Sequence, residues 1–413
     1  MMLRFTNETF NFMKRIYLDY NATTPVDPRV LEAIVPFMNE EFGNPSSIHS
    51  FGRAGKAAID VSREQVAELL GARPKEIVFT SGGSESNNLA IKGVALGLRE
   101  KGNHLVTTQV EHSSVLETFR FLESQGFRVT YLGVDKYGLI DLEELREAIT
   151  DGTILVSVMF ANNETGVIMP IKEVVEIVKE KGVIFHTDAI QAAGKIDINI
   201  RDFPIDLLSL SGHKLYGPKG VGALFIRDGV KLCTLVHGGG QERGRRSGTE
   251  NVAGIVGLGR ACEIIKGDTG YRIQDAGIKE LRDKLYEGIF KRISGVELNG
   301  HAEKRLSNTL NLSFEGVEGE SLVMSLDIEG IAVSTGSACS EGNVEPSHVL
   351  IAMGLSEELA VSSLRFSLGR FTEKGDIDRV VEVLPGIVGR IREVGSMETP
   401  VAYQAPGVRE IPS

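Results

Sequence analysis

The chain has 413 residues, 42% of them hydrophobic and 24% charged, long enough for two domains with sizeable cores. Its 56 acidic residues outnumber 45 basic ones for a net charge of −11, which argues against general attraction to nucleic acid or an anionic membrane. Three cysteines with no CxxC pair make no disulfide framework and fit a reducing compartment, the cytoplasm. Residues 1–13 are polar and mixed, without a signal-type hydrophobic stretch, and the apolar runs are too short to span a bilayer.

In chain order, short apolar runs alternate with amphipathic segments. Strands are predicted at Ile77–Thr80, His104–Thr108, Arg128–Leu132, Ile154–Phe160, Val183–Thr187, Leu207–Leu210 and Val221–Ile226. Several are apolar on both faces, as in strands covered by helices on each side. Helices are predicted at Ala54–Leu70, Ser86–Lys101, Leu142–Ile149 and Ile171–Lys181. This βαβ rhythm implies a doubly wound, mainly parallel sheet, whose ligands sit beyond the carboxyl ends of the strands.

Near residue 272 the pattern changes. A helix at Ile278–Ile293, strands around Thr309–Phe314, Ile331–Val333 and Ser363–Leu368, and helices near Ser347–Met353 and Asp376–Val394 read as a smaller α+β domain. The expected division is an extension (1–13), a large domain (14–272), a small C-terminal domain (273–395) and a loose tail (396–413).

The chemistry-bearing residues cluster where predicted strands end. Lys214, in SGHK (211–214), follows one such strand, and Asp188 ends another. An amine held there loses hydration, which lowers its pKa and makes it a nucleophile. With a carboxylate at a neighbouring strand end it suits pyridoxal phosphate, the amine forming the Schiff base and the carboxylate holding the pyridine nitrogen protonated. TSGGSES (80–86) is a strand, a small-residue turn and a helix start, a place where exposed amides bind phosphate; a plain helix cap has the same pattern. It lacks the glycine–lysine spacing of nucleotide loops. Ser211 and His213 could add phosphate donors, and Gln191 and Asn163 could reach a cofactor oxygen, although each also suits a turn or cap. His112 follows the strand at 104–108 and could stack on a planar ring or be an ordinary loop histidine.

Cys339 lies in a small, polar stretch (334–343) where a reactive thiol belongs, whereas Cys262 and Cys233 read as helix and strand packing residues. Arg365, on a short strand, suits either a substrate carboxylate or a structural ion pair. Arg243, Arg245, Arg246 and Thr249 occupy a glycine-rich loop open to solvent, phosphate or an adjoining subunit.

Together, YLDYNATT (17–24), GNPS (43–46), TSGGSES (80–86), NNETG (162–166), SGHK (211–214), RSGT (246–249), GSAC (336–339) and RFSLG (365–369) resemble the cysteine desulfurases (NifS/IscS-like) of the pyridoxal-phosphate enzymes related to class V aminotransferases. The match runs from about Ile16 to Phe371. The resemblance implies the fold type I (aspartate aminotransferase-like) α/β architecture, with a seven-stranded, mainly parallel sheet. It implies that Lys214 carries the cofactor, Asp188 pairs with its ring nitrogen, His112 stacks on the ring, and Gln191 and Asn163 meet its oxygen side. Gly83, Ser84, Ser211 and His213 would hold the phosphate, with Thr249 arriving from the second copy of a homodimer. Arg365, with Asn163, would bind the carboxylate of L-cysteine. Cys339 would accept the sulfur, and could transiently ligate an iron–sulfur cluster during transfer to a scaffold protein or other acceptor. The polar stretch SEGN (340–343) leaves that acceptor undefined, and selenocysteine stays open as a substrate.

Overall fold

The computed structural model describes residues 15–267, 269–335, 339–340 and 343–397, with only the backbone described at 269–276, 339–340, 343–344 and 395–397. The expectations for residues 1–13 and for the tail beyond 397 lie outside the described residues.

Seven strands form the main sheet: β1 (Ile77–Thr80), β2 (His104–Thr108), β3 (Arg128–Leu132), β4 (Thr153–Ser157), β5 (Ile184–Asp188), β6 (Leu207–Ser211) and β7 (Gly222–Ile226). Their order is β1-β7-β6-β5-β4-β2-β3. Only β7 runs against its neighbours; the remaining pairs are parallel. Every residue of β1, β2, β4, β6 and β7 is buried, because helices cover both faces. Phe185 and Phe225 sit in one of the resulting cores and Phe119 and Leu224 in the other. Truncating a fully buried phenylalanine such as Phe185 to alanine costs roughly 3–5 kcal/mol.

Two predicted boundaries move for physical reasons. The strand expected at Ile154–Phe160 stops at Ser157: Val158 and Phe160 N–H still reach the β5 carbonyls of His186 and Asp188 (3.1 and 2.9 Å), but Met159 N–H goes to the Glu111 carboxylate (2.7 Å) instead of a strand. The helix expected from Ser86 begins at Gly83, its entry set by Gly82 at φ +155°, ψ −176°, a region essentially restricted to glycine. The helices Ser113–Ser124 and Gly319–Ile328 are additional to the predicted elements.

A second core gathers Leu285, Leu312, Phe314, Leu364, Phe366 and Leu384 around a three-stranded antiparallel sheet of β8 (Val296–Leu298), β9 (Thr309–Phe314) and β10 (Ser363–Ser367). Ile16 and Leu18, from the start of the described chain, pack into this core as well. Residues 19–24 therefore run from the small sheet to the main one, and β10 points Arg365 toward the carboxyl ends of the main strands. Among the described residues no helix is long and apolar enough to cross a membrane.

Candidate active site

Ten of the twelve residues singled out from the sequence line one cavity of about 410 Å³: Gly83, Ser84, His112, Asn163, Asp188, Gln191, Ser211, His213, Lys214 and Arg365. Nine follow or end strands of the main sheet, and Arg365 comes from the small sheet. The carboxyl-end rule thus accounts for the position of the cavity.

Lys214 closes a short 3₁₀ turn, Gly212–Lys214, directly after β6. Its ammonium donates to the backbone carbonyls of Asn21 and Ala22 (2.8 Å for the latter). Burial, reinforced by the Arg365 charge, lowers this amine from 10.5 to about 8, against the opposing pull of Asp19 and Asp188. A cation seated only on carbonyl dipoles gives up its proton more readily than one paired with a carboxylate.

Asp188, 4% exposed, ends β5. One oxygen accepts from Asn87 Nδ2 (2.7 Å) and the other from Ile190 N–H (2.9 Å). A carboxylate has about four acceptor positions, so this one keeps capacity for a further N–H facing the cavity. His112 caps the helix Ser113–Ser124, its Nδ1 accepting Ser114 N–H at 3.1 Å. The neutral ring therefore carries its proton on Nε2. Burial lowers the His112 pKa, and Lys214 and His348 lower it further against Asp188. Burial also pushes His213 down to about 4, assisted by Lys214 and Lys219.

At the opposite wall the helix Gly83–Gly97 starts with no side-chain cap, leaving amides of its first turn unclaimed. A Cβ on Gly83 would lie 2.2 Å from Ile190 Cδ1, so any larger residue there would have to displace that side chain.

Several groups that shape the cavity escaped the sequence reading. Asn21, 1% exposed, links both sheets: its Nδ2 donates to Asn163 O (3.0 Å) and Thr309 Oγ1 (2.9 Å), while its carbonyl accepts from Gln191 Nε2 (2.9 Å) and Lys214. Arg365 pairs with Asp19 (2.8 Å) and donates to Asn163 O (3.1 Å), and its buried Nε has no partner. Arg365 thus makes the expected ion pair and also lines the cavity. Glu111 is wholly buried, with Oε1 accepting from Met159 N–H and Thr108 and Oε2 unpartnered; burial, then the Asp188 charge, raises it to about 8. Burial likewise lifts Glu164 to about 7, although Ser347 hydrogen-bonds it and Arg365 lies near. The only sequence signal for Asn21, Glu111 and Glu164 is membership of a polar run after a strand or in a motif.

Two predicted site residues stand apart. Thr249 is exposed and does not line the cavity of its own chain. Cys339 lies in a two-residue strand paired with Asn343–Val344, but its side chain lies outside the described residues. Cys262 is buried in the helix Val252–Gly267, where burial raises its thiol to about 12. Cys233 is half-buried outside any strand, correcting the strand expected there: its N–H is taken by Gly93 O (2.9 Å), the end of a helix rather than a ladder neighbour. In the glycine-rich loop, Arg246 is held by Glu85 (2.8 Å) and so braces the first turn of the helix Gly83–Gly97.

A seven-stranded, mainly parallel sheet with a lysine and a carboxylate at neighbouring strand ends defines a fold type I architecture. Residues 16–380 match the family model described as Aminotransferase class-V. The cysteine desulfurase IscS of Clostridium botulinum is 53% identical over 386 residues, covering 93% of this chain and 97% of that protein. Among solved structures, a NifS-like protein superimposes with TM-score 0.86 at 41% identity, over 91% of this chain and all (100%) of the other. SspA in complex with cysteine does so with TM-score 0.76 at 43% identity, over 86% of this chain and 98% of that one. The chain belongs to the class-V aminotransferase family, in its cysteine desulfurase branch.

Proposed function

We propose that the chain is a cytoplasmic, homodimeric, pyridoxal-phosphate-dependent cysteine desulfurase. It converts L-cysteine to L-alanine and lodges the sulfur on Cys339 as a persulfide, for iron–sulfur cluster assembly or another thiolation route. The observation that carries this reading is the convergence of Lys214, Asp188 and an uncapped helix start on one cavity.

The residues present fit the cofactor. Asp188 retains an acceptor position for a pyridine N–H, and Lys214 holds the low-pKa amine that an aldehyde needs. The first-turn amides at Gly83 and Ser84, with Ser211 and His213, offer phosphate donors, and Thr249 of each chain is proposed to complete that subsite in the other. When bound, the cofactor supplies an electron sink that makes the substrate Cα–H acidic. Lys214, once free, takes that proton and returns one to the carbon skeleton. Asp188 would hold the ring nitrogen in its protonated form, and His112 would lie against the cofactor ring. Gln191 and Asn163 orient the oxygen side, and Arg365 receives the substrate carboxylate with its remaining N–H capacity. The Cys339 thiolate attacks the substrate sulfur: an S–S bond forms, the C–S bond breaks, and its electron pair stays with carbon, which is protonated to the alanine methyl. We place the cofactor on a unit of residues 14–272 and the cysteine loop on one of 273–395.

Mass spectrometry after exposure to L-cysteine tests the sulfur step. One added sulfur is expected on the Cys339 peptide, and none in Cys339→Ser, which keeps its bound cofactor. Wild-type sulfide release from that variant would overturn the role of Cys339. Borohydride reduction followed by peptide mapping tests the rest; the absence of a cofactor adduct on Lys214 would overturn the whole reading.

A further inference from the structure

Apart from the active-site cavity, a second cavity of about 400 Å³ is lined in part by Lys195. Its described lining carries four cations, Lys195, Lys279, Arg282 and Arg305, against two carboxylates, Asp283 and Glu303. Asp283 is shared by Lys279 (2.7 Å) and Arg282 (2.9 Å), and Arg305 makes no ion pair among the described residues.

Arg305 is the unusual member. It is 7% exposed, its Nη2 donates to Thr309 O (2.5 Å), and its buried Nε has no partner. Burial, then repulsion from Arg282, lowers this guanidinium to about 10. Two buried guanidinium groups that repel each other, with Asp283 as the opposing charge acting on both, form an arrangement that an anion completes. Arg282 is fixed by Leu306 O (2.9 Å), and Arg305 by Thr309 O, so both heads are positioned in advance. The volume lies within the range of small-ligand sites. Lys195, in the lining of this cavity, donates to Gln191 Oε1 (2.9 Å), and Gln191 lines the active-site cavity.

We propose that this cavity is a binding site for a small polyvalent oxyanion, a phosphate or a short dicarboxylate, held between Arg305, Arg282 and Lys279. The site is separate from the cysteine chemistry, so a chain that failed to process cysteine would leave this inference standing.

The test is calorimetric titration of the cofactor-loaded protein at fixed chloride, with inorganic phosphate in one arm and succinate in the other. Saturable binding of one anion per chain is expected in at least one arm, and the arm identifies the ligand class. Lys279→Gln, at an exposed side chain that folding does not require, is expected to weaken it about tenfold, and Arg305→Gln by more. No saturable heat with either anion up to about 20 mM overturns the proposal. So does binding of equal strength in Lys279→Gln, or binding that appears only when the cofactor is stripped out and so belongs to the active site. Should Arg305→Gln fail to fold, the Lys279 variant alone decides.

Discussion

Arg63 and Lys214 are both cations withdrawn from water, and the contrast between them separates scaffold from chemistry. Arg63 meets Glu242 through two 2.7 Å bonds, donates to Ile77 O (2.7 Å) and lies over the Phe79 ring (4.7 Å). Glu242 also accepts Phe79 N–H at 2.9 Å. Held this way, the carboxylate side pins a backbone in which Glu242 and Arg243 adopt φ +49° and +59°, conformations that non-glycine residues rarely keep unless their surroundings enforce them. Lys214, by contrast, rests on two carbonyls and has no carboxylate within ion-pair distance among the described residues. Matched burial rigidifies; mismatched burial leaves a proton loosely held.

The largest effect is expected from Lys214→Ala. Alanine release should fall by about 10⁴-fold or more, because the amine is both proton carrier and cofactor anchor. Retention of more than a hundredth of the rate, measured as alanine formed per holoenzyme, would place the loosely held proton elsewhere.

Glu242→Gln attacks the matched side. It strands Arg63 without a counter-charge and is expected to cost about 3–5 kcal/mol of stability in urea unfolding. The folded fraction should still release alanine, since the pair does not reach the cavity. Equal losses of stability and turnover would erase the distinction.

Glu111 lies between these cases, buried with one oxygen satisfied and one bare. Its carboxyl is raised from 4.5 to about 8, so the folded chain holds a proton that the unfolded chain releases. The stability it contributes is fully present below pH 4.5 and is lost as pH rises through about 8. Glu111→Gln imitates the protonated form and removes this slope. Relative to wild type it should gain about 1 kcal/mol per pH unit between those limits. Parallel stability–pH curves for the two proteins would show that Glu111 ionises normally.

The smallest effect is expected at Lys56–Asp60, an i,i+4 pair at 2.5 Å whose side chains are 53% and 52% exposed. Asp60→Asn should change stability by about 0.5 kcal/mol or less, and less still at high salt. A larger loss would mean that exposed pairs here behave like the buried one.

Much of the site was legible because strand ends are local. SGHK after one apolar run and Asp188 after another place the amine and the carboxylate at neighbouring strand ends. The order of strands was less accessible: alternation implied parallel pairing, and the reversed β7 has no signature in its five residues. Asn21 was quoted within a motif but carried no visible role, since its partners lie as far as 346 residues away. The Arg63–Glu242 pair, 179 residues apart, was equally hidden.

By itself the sequence determined the periodic elements, the turn that exposes the first amides of the helix Gly83–Gly97, and which residue types wait at the strand ends. These follow from φ/ψ limits and hydrophobic spacing within a few residues of one another. Only the tertiary structure decided how much charge each of those residues would keep. A pKa depends on who else is buried nearby, and those neighbours arrive from distant parts of the chain: Arg365 on Lys214, Asp188 on Glu111, Arg282 on Arg305.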